Sequence, residues 1–175
     1  MSTPKERVGI IGAGRMGLPM VKHLLRNGFS VAVNDISAEN VAKAVEMGAS
    51  SCATPRALGE QSDFVILGVG YDDEVREVTL SEHGVLGGLA AGAIIAVSST
   101  VAPDTVKSLA ALARAKDVAV LDAPICRGRW FADEGKLLAL FGGEAAVVER
   151  GRAVYQAFCS DIEHLGEVGH GQVAK

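Results

Sequence analysis

The chain has 175 residues, 49% of them apolar and only 5% aromatic, enough for one sizeable core built mainly from Ala, Val, Leu and Ile. Its formal net charge of −4 leaves no basic footprint for nucleic acid, and the three scattered cysteines, Cys52, Cys126 and Cys159, argue against a disulfide framework or zinc ribbon and for a reducing, cytoplasmic setting. The leading Met1 to Arg7 segment lacks an apolar signal core and no apolar run is long enough to span a membrane, so neither export nor a membrane partner is expected.

Val8 to Ile11 reads as a strand that passes directly into Gly12-Ala13-Gly14-Arg15-Met16-Gly17, a G-x-G-x-x-G turn. Gly12 would permit the tight turn, Gly14 would let the backbone approach a pyrophosphate, and Gly17 would let the next helix pack against the sheet. That helix, beginning near Arg15, aims its first N–H groups and the positive end of its dipole at phosphate, so no cationic side chain is needed. Met16, Met20, Val21, Leu24 and Leu25 recur at helical spacing for the core, and Gly28 caps the helix.

Ser30 to Asp35 is the second strand and delivers a carboxylate about twenty residues beyond Gly12, the spacing for a ribose contact. Asp35 would accept hydrogen bonds from ribose hydroxyls and repel a 2′-phosphate. Ile36 follows it and no Arg stands beside it, so NAD is expected ahead of NADP. Glycine-rich turns are common and Asp often closes strands. Strand, helix, strand and acid in order nevertheless describe a dinucleotide-binding unit, with Gly12 to Gly17 and Asn34, Asp35 and Ile36 at the cofactor.

Further strands are expected at Asp63 to Val69, Ala93 to Val97 and Val118 to Asp122. The clearest helix between them runs from Asp104 to Ala115, with Pro103 in its first turn and Val106, Leu109, Ala110 and Ala113 on one face. Lys136 to Phe141 reads as a strand, Glu144 to Phe158 as a helix and Asp161 to Leu165 as a last strand. This alternation predicts an α/β fold of Rossmann type, a doubly wound and mainly parallel sheet, occupying residues 1–175 as a single dinucleotide-binding domain without repeats or linkers. Ligands of such sheets bind at the carboxyl ends of the strands, where Gly68-Val69-Gly70-Tyr71, Ser98-Ser99-Thr100-Val101 and Ala123-Pro124-Ile125-Cys126-Arg127-Gly128 stand as loops. No histidines or cysteines have metal-ligand spacing, so no metal is expected.

Taken with Gly142-Gly143 and Gly166-Glu167-Val168-Gly169-His170-Gly171-Gln172-Val173-Ala174-Lys175, the glycine turn, the Ser-Ser-Thr loop and Asp122-Ala123-Pro124-Ile125-Cys126-Arg127-Gly128 resemble the β-hydroxyacid dehydrogenases. That family includes 3-hydroxyisobutyrate dehydrogenase and tartronate semialdehyde reductase, and the resemblance runs over the whole chain. It implies hydride transfer between a nicotinamide and a small carboxylate substrate, a β-hydroxyacid or its semialdehyde or keto acid. Lys175 matches the catalytic lysine, which would protonate the developing alkoxide in reduction and take the proton in oxidation. Gly68, Val69 and Thr100 would border the cofactor, and Cys126, Arg127 and Gly128 the substrate.

The chain departs from the family pattern in several places. Cys126 and Arg127 stand where the family has Ser and Gly, so the grip on the substrate acid would be rebuilt around the Arg127 guanidinium; hydroxyisobutyrate and a sugar-derived semialdehyde stay open as substrates. In the family the lysine begins a long helix, and a helical second domain then closes the cleft and makes most of the dimer. This domain is absent after Lys175, so the sequence is expected to be a piece of a longer homo-oligomeric enzyme and to turn over poorly alone. The alternative is a non-catalytic NAD-binding sensor or scaffold.

Overall fold

The computed structural model describes residues 5–175; the start of the expected signal-free segment, residues 1–4, lies outside the described residues. In chain order the elements are β1 (Arg7–Ile11), α1 (Gly17–Arg26), β2 (Ser30–Asn34), α2 (Ala38–Glu46), β3 (Ser50–Ser51), α3 (Pro55–Glu60), β4 (Phe64–Leu67) and α4 (Asp72–Leu80). After a short 3-10 turn at Val85–Gly87 follow β5 (Ile94–Val97), α5 (Pro103–Arg114), β6 (Ala119–Asp122), β7 (Ile125–Cys126), α6 (Gly128–Glu134), β8 (Leu137–Phe141), α7 (Ala145–Tyr155), β9 (Cys159–His164) and α8 (His170–Ala174).

Six strands form one sheet in the order β3-β2-β1-β4-β5-β6, every pair parallel. Both faces are covered, which is why β4 and β5 are apolar at every position rather than alternating. Phe64 and Ile66 of β4, with Ile94 and Ala96 of β5, join the cluster that holds Met20, Val21 and Leu24 of α1 and Tyr155 of α7. Val65, Leu67, Ile95 and Val97 point the other way, into a cluster with Leu58, Val75, Val106 and Leu109. Each such side chain contributes about 1.5–3 kcal/mol on full burial. The order reverses between β1 and β4, opening a crevice at their carboxyl ends, where the glycine turn and the Gly68 loop lie.

The sheet meets the expected fold class, with strand ends shifted by a residue or two. Other segments differ. The expected loop at residues 123–128 is instead the short strand β7, antiparallel to β8, followed by a helix that begins at Gly128. β7, β8 and β9 form a separate three-stranded sheet, with β8 and β9 parallel, joined to β6 by an antiparallel bridge between Asp122 and Gly142. Helix α1 begins at Gly17 rather than near Arg15. Gly17 is required by the turn more than by the sheet, because a Cβ there would lie 2.1 Å from the Gly12 carbonyl oxygen. No helix among the described residues is long and apolar enough to cross a membrane.

Candidate active site

The glycine turn sits between β1 and α1 in the geometry that its sequence demands. Gly12 adopts φ +94°, and a Cβ on it would lie 2.5 Å from the Gly68 carbonyl oxygen, so the β1 and β4 loops touch through bare backbone. A Cβ at Gly14 would have nothing nearer than the Asn40 side chain at 3.9 Å, which leaves that backbone open to the cleft. Met16 is the N-cap of α1 and gives no side-chain hydrogen bond; within the first turn the Leu18 N–H is taken by the Gly14 carbonyl at 3.0 Å and Pro19 has none, which leaves the Gly17 N–H and the turn's own Arg15 and Met16 N–H groups for an anion.

A cavity of about 550 Å³ opens beside this turn, lined in part by Gly12, Gly14, Asn34, Asp35, Ile36, Gly68 and Val69. Asp35 stands just past the end of β2. Its Oδ2 accepts from the Ala13 N–H at 2.7 Å and its Oδ1 from the Ser37 N–H at 2.7 Å, so the carboxylate also braces the glycine turn. Ser37 caps α2 by accepting from the Asn40 N–H, and the Asn34 side chain donates to the Cys52 carbonyl. Ile36 is fully exposed at the cleft edge. Across the cavity the Glu74 carboxylate accepts from the Gly70 N–H at 2.9 Å. The Arg15 carbonyl accepts from Arg129, linking the glycine turn to α6.

Past the end of β5, Thr100 is exposed between the buried Ser99 and Val101. Sequence reasoning missed what holds this loop. The Gln172 side chain accepts from the Val101 N–H at 3.1 Å and donates to the Ser99 carbonyl at 2.9 Å, tying the Thr100 loop to the lysine segment. Asp122 was also missed. It is 0% exposed, and its Oδ2 accepts from the N–H groups of Gly169 and Gln172 at 3.0 and 3.1 Å while Oδ1 has no partner. Burial pushes this carboxyl above the usual carboxylate range, against the pull of those N–H groups. A lone acid closing an apolar strand was the available signal for Asp122, and the polar Gln172 within the lysine motif was the signal for Gln172. Ser98 shares a buried hydrogen bond of 2.6 Å with the Tyr155 hydroxyl, and burial drives that phenol's pKa upward.

Lys175 and the expected substrate loop are neighbours. The Lys175 ammonium donates to the Ile125 carbonyl, and Cys126 Sγ lies 4.0 Å from its Nζ. Arg127 turns elsewhere. Its guanidinium meets Asp161 at 2.6 Å, the Ser160 hydroxyl at 2.9 Å and the Lys136 carbonyl at 3.1 Å, and lies over the Phe131 ring. The Ser160 hydroxyl and then Arg127 hold the Asp161 carboxyl below its usual range. Arg127 has φ +86°, a left-handed conformation that costs a residue with a Cβ about 1–2 kcal/mol. Gly128 is left-handed too, with open space where a Cβ would stand.

Cradle and cavity fit a dinucleotide: a turn whose Gly12 and Gly17 leave no room for a Cβ, an open Gly14 backbone and a carboxylate past the end of β2 stand beside one cleft. Comparison with known proteins agrees. Residues 7–166 match the family described as the NAD binding domain of 6-phosphogluconate dehydrogenase. An NAD-dependent L-serine dehydrogenase from Pseudomonas aeruginosa is 34% identical over 170 residues, covering 97% of this chain and 57% of that protein. The 3-sulfolactaldehyde reductase of Escherichia coli is 35% identical over 164 residues, 94% of this chain and 55% of that protein. A solved structure described as Mycobacterium tuberculosis 3-hydroxyisobutyrate dehydrogenase with L-serine superposes with a TM-score of 0.93 at 26% identity, covering 98% of this chain and 58% of that one. The chain thus spans a little over half the length of the relatives it matches.

Proposed function

The chain belongs to the 6-phosphogluconate and 3-hydroxyisobutyrate dehydrogenase family as its NAD-binding domain, and from that premise we propose that it serves an NAD-dependent oxidoreductase interconverting a β-hydroxyacid and its semialdehyde or keto acid. The observation that carries this is the meeting of Lys175 with Ile125 and Cys126 just past the carboxyl end of β6, on the same edge of the parallel sheet as the glycine turn that follows β1. When bound, the cofactor supplies hydride transfer at its nicotinamide.

The protein's own groups do the rest. Gly12, Ala13, Gly14, Arg15, Met16 and Gly17 would hold the pyrophosphate, with the Arg15, Met16 and Gly17 N–H groups at the start of α1 as its donors. Asn34, Asp35 and Ile36 border the adenosine ribose, where Asp35 has lone pairs left for its hydroxyls and favours NAD over NADP. Gly68 and Val69 line the cavity beside the glycine turn, and Thr100, exposed past the end of β5, would border the cofactor with them. Lys175 donates a proton to the substrate oxygen in reduction and withdraws it in oxidation. Cys126, Arg127 and Gly128 present the substrate carboxylate with N–H groups from a left-handed turn, while the Arg127 side chain braces that turn against β9.

We place this protein in a reducing, cytoplasmic setting, in keeping with three free cysteines, and expect a homo-oligomer on family resemblance, to be checked by light scattering. The function is tested by following NADH absorbance with L-serine, 3-hydroxyisobutyrate and their oxidised counterparts, using the wild type and Lys175→Met. Turnover of at least one such acid and its loss in Lys175→Met with NADH affinity retained are expected. Full turnover without the lysine overturns the mechanism.

A further inference from the structure

We infer that Glu77 is a second determinant of cofactor choice, acting with Asp35 to keep a 2′-phosphate out of the cleft. This rests on the NAD preference proposed above and goes beyond it, since Glu77 lies on α4, on the opposite wall from Asp35. The cavity beside the glycine turn runs into a second one of about 520 Å³ past Ile36, and both are lined by Asp35, Glu77 and Val78. Asp35, Glu74 and the exposed Glu77 line the first cavity, Glu82 joins Asp35 and Glu77 in the second, and no Lys or Arg lines either.

The carboxylates differ in what they already do. Asp35 accepts from two backbone N–H groups and Glu74 from one. Among the described residues Glu77 has no side-chain hydrogen bond and no ion pair, so its charge is uncompensated where it faces the cleft. Its neighbour Arg76 does not neutralise it, because that guanidinium is held by Asp73 at 3.1 Å and the Thr105 hydroxyl at 3.0 Å. A ribose hydroxyl is indifferent to such a wall, whereas a phosphate dianion is repelled by it, so the charge discriminates between cofactors without contributing to the affinity of the preferred one.

The test is a fluorescence titration of the chain with NADH and with NADPH at one fixed pH and ionic strength, with His83 lining the second cavity unchanged throughout. Glu77→Gln is expected to tighten NADPH about two- to fivefold and to leave NADH within about twofold, and Glu77→Lys to tighten NADPH about tenfold. Both gains shrink in molar salt. Glu46→Gln, on α2 and outside both cavities, controls for net charge and should move neither constant. An NADPH constant unmoved in both Glu77 variants, or equal tightening of both cofactors, overturns the inference. The NADH-to-NADPH ratio of the wild type tests the NAD preference separately, because the shift on substitution is read whatever that starting ratio is. A wild type that binds neither cofactor sinks both.

Discussion

Tyr155→Phe removes one hydroxyl and nothing else from the centre of the molecule. The ring keeps its edge-on contacts with Phe64 and Phe141, at centroid distances of 6.3 and 5.0 Å, and its tilted contact with Phe158 at 4.8 Å, so packing is unchanged. What is lost is the 2.6 Å hydrogen bond to Ser98, and Ser98 is itself only 5% exposed, so its hydroxyl is left with no partner and little water. Stranding a buried hydroxyl costs about 1–3 kcal/mol. Ser98→Ala strands the tyrosine hydroxyl instead, at a similar cost. The double variant strands neither, so its loss should be smaller than the sum of the two single losses by at least about 1 kcal/mol. For a chain of this size each single variant lowers Tm by roughly 2–12 °C. Urea unfolding followed by far-ultraviolet circular dichroism is the assay of choice, because the only tryptophan, Trp130, is 76% exposed and reports poorly on this core. Additive losses within about 0.5 kcal/mol would refute the pairing of these hydroxyls.

Asp35→Ala should weaken NADH about tenfold or more, since it removes both a ribose acceptor and the brace on the Ala13 N–H, and NADPH should suffer less because a repulsive charge goes as well. Unchanged NADH affinity in the titration would show that the glycine turn stands without that brace. Asp122 sets a pH dependence whose sign is opposite to that of an ordinary paired carboxylate. Its folded pKa is raised above the ordinary 3.8, so the folded chain holds the proton more tightly than the unfolded one and the contribution to stability falls as pH rises from about 3.8 through the folded value. Asp122→Asn does not titrate and should therefore gain on the wild type across that window, by at most about 1.4 kcal/mol per pH unit. Parallel urea stabilities of the two proteins from about pH 4 to 7 would contradict a raised value.

The parallel sheet was legible because β4 and β5 are short, wholly apolar and separated by helices, a pattern that only strands buried on both faces need. The glycine turn was legible because Gly12 and Gly17 each leave no room for a Cβ, and Asp35 just past β2 accepts from the Ala13 N–H within that turn. The short elements β7, α6 and α8 were not, since two, seven and five residues are too few for periodicity to speak. β7 exists through its pairing with β8. Nor could local pattern show that Asp122 and Gln172 converge on the lysine segment, because those contacts join positions tens of residues apart. Arg127 illustrates the same limit. Its side-chain chemistry suggested an anion grip, while tertiary contact with Asp161 and Ser160 decides where the guanidinium goes.

The left-handed Arg127 makes the turn beside Lys175 a loaded spring rather than a relaxed loop. Its catch is on the outside of the molecule, where the exposed Asp161 and Ser160 of β9 hold the guanidinium. Anything that loosens β9 thus lets the spring recoil at Cys126, and a glycine at position 127 would take the tension out altogether. The turn that meets the lysine is thus tied, through one guanidinium, to the exposed edge of β9.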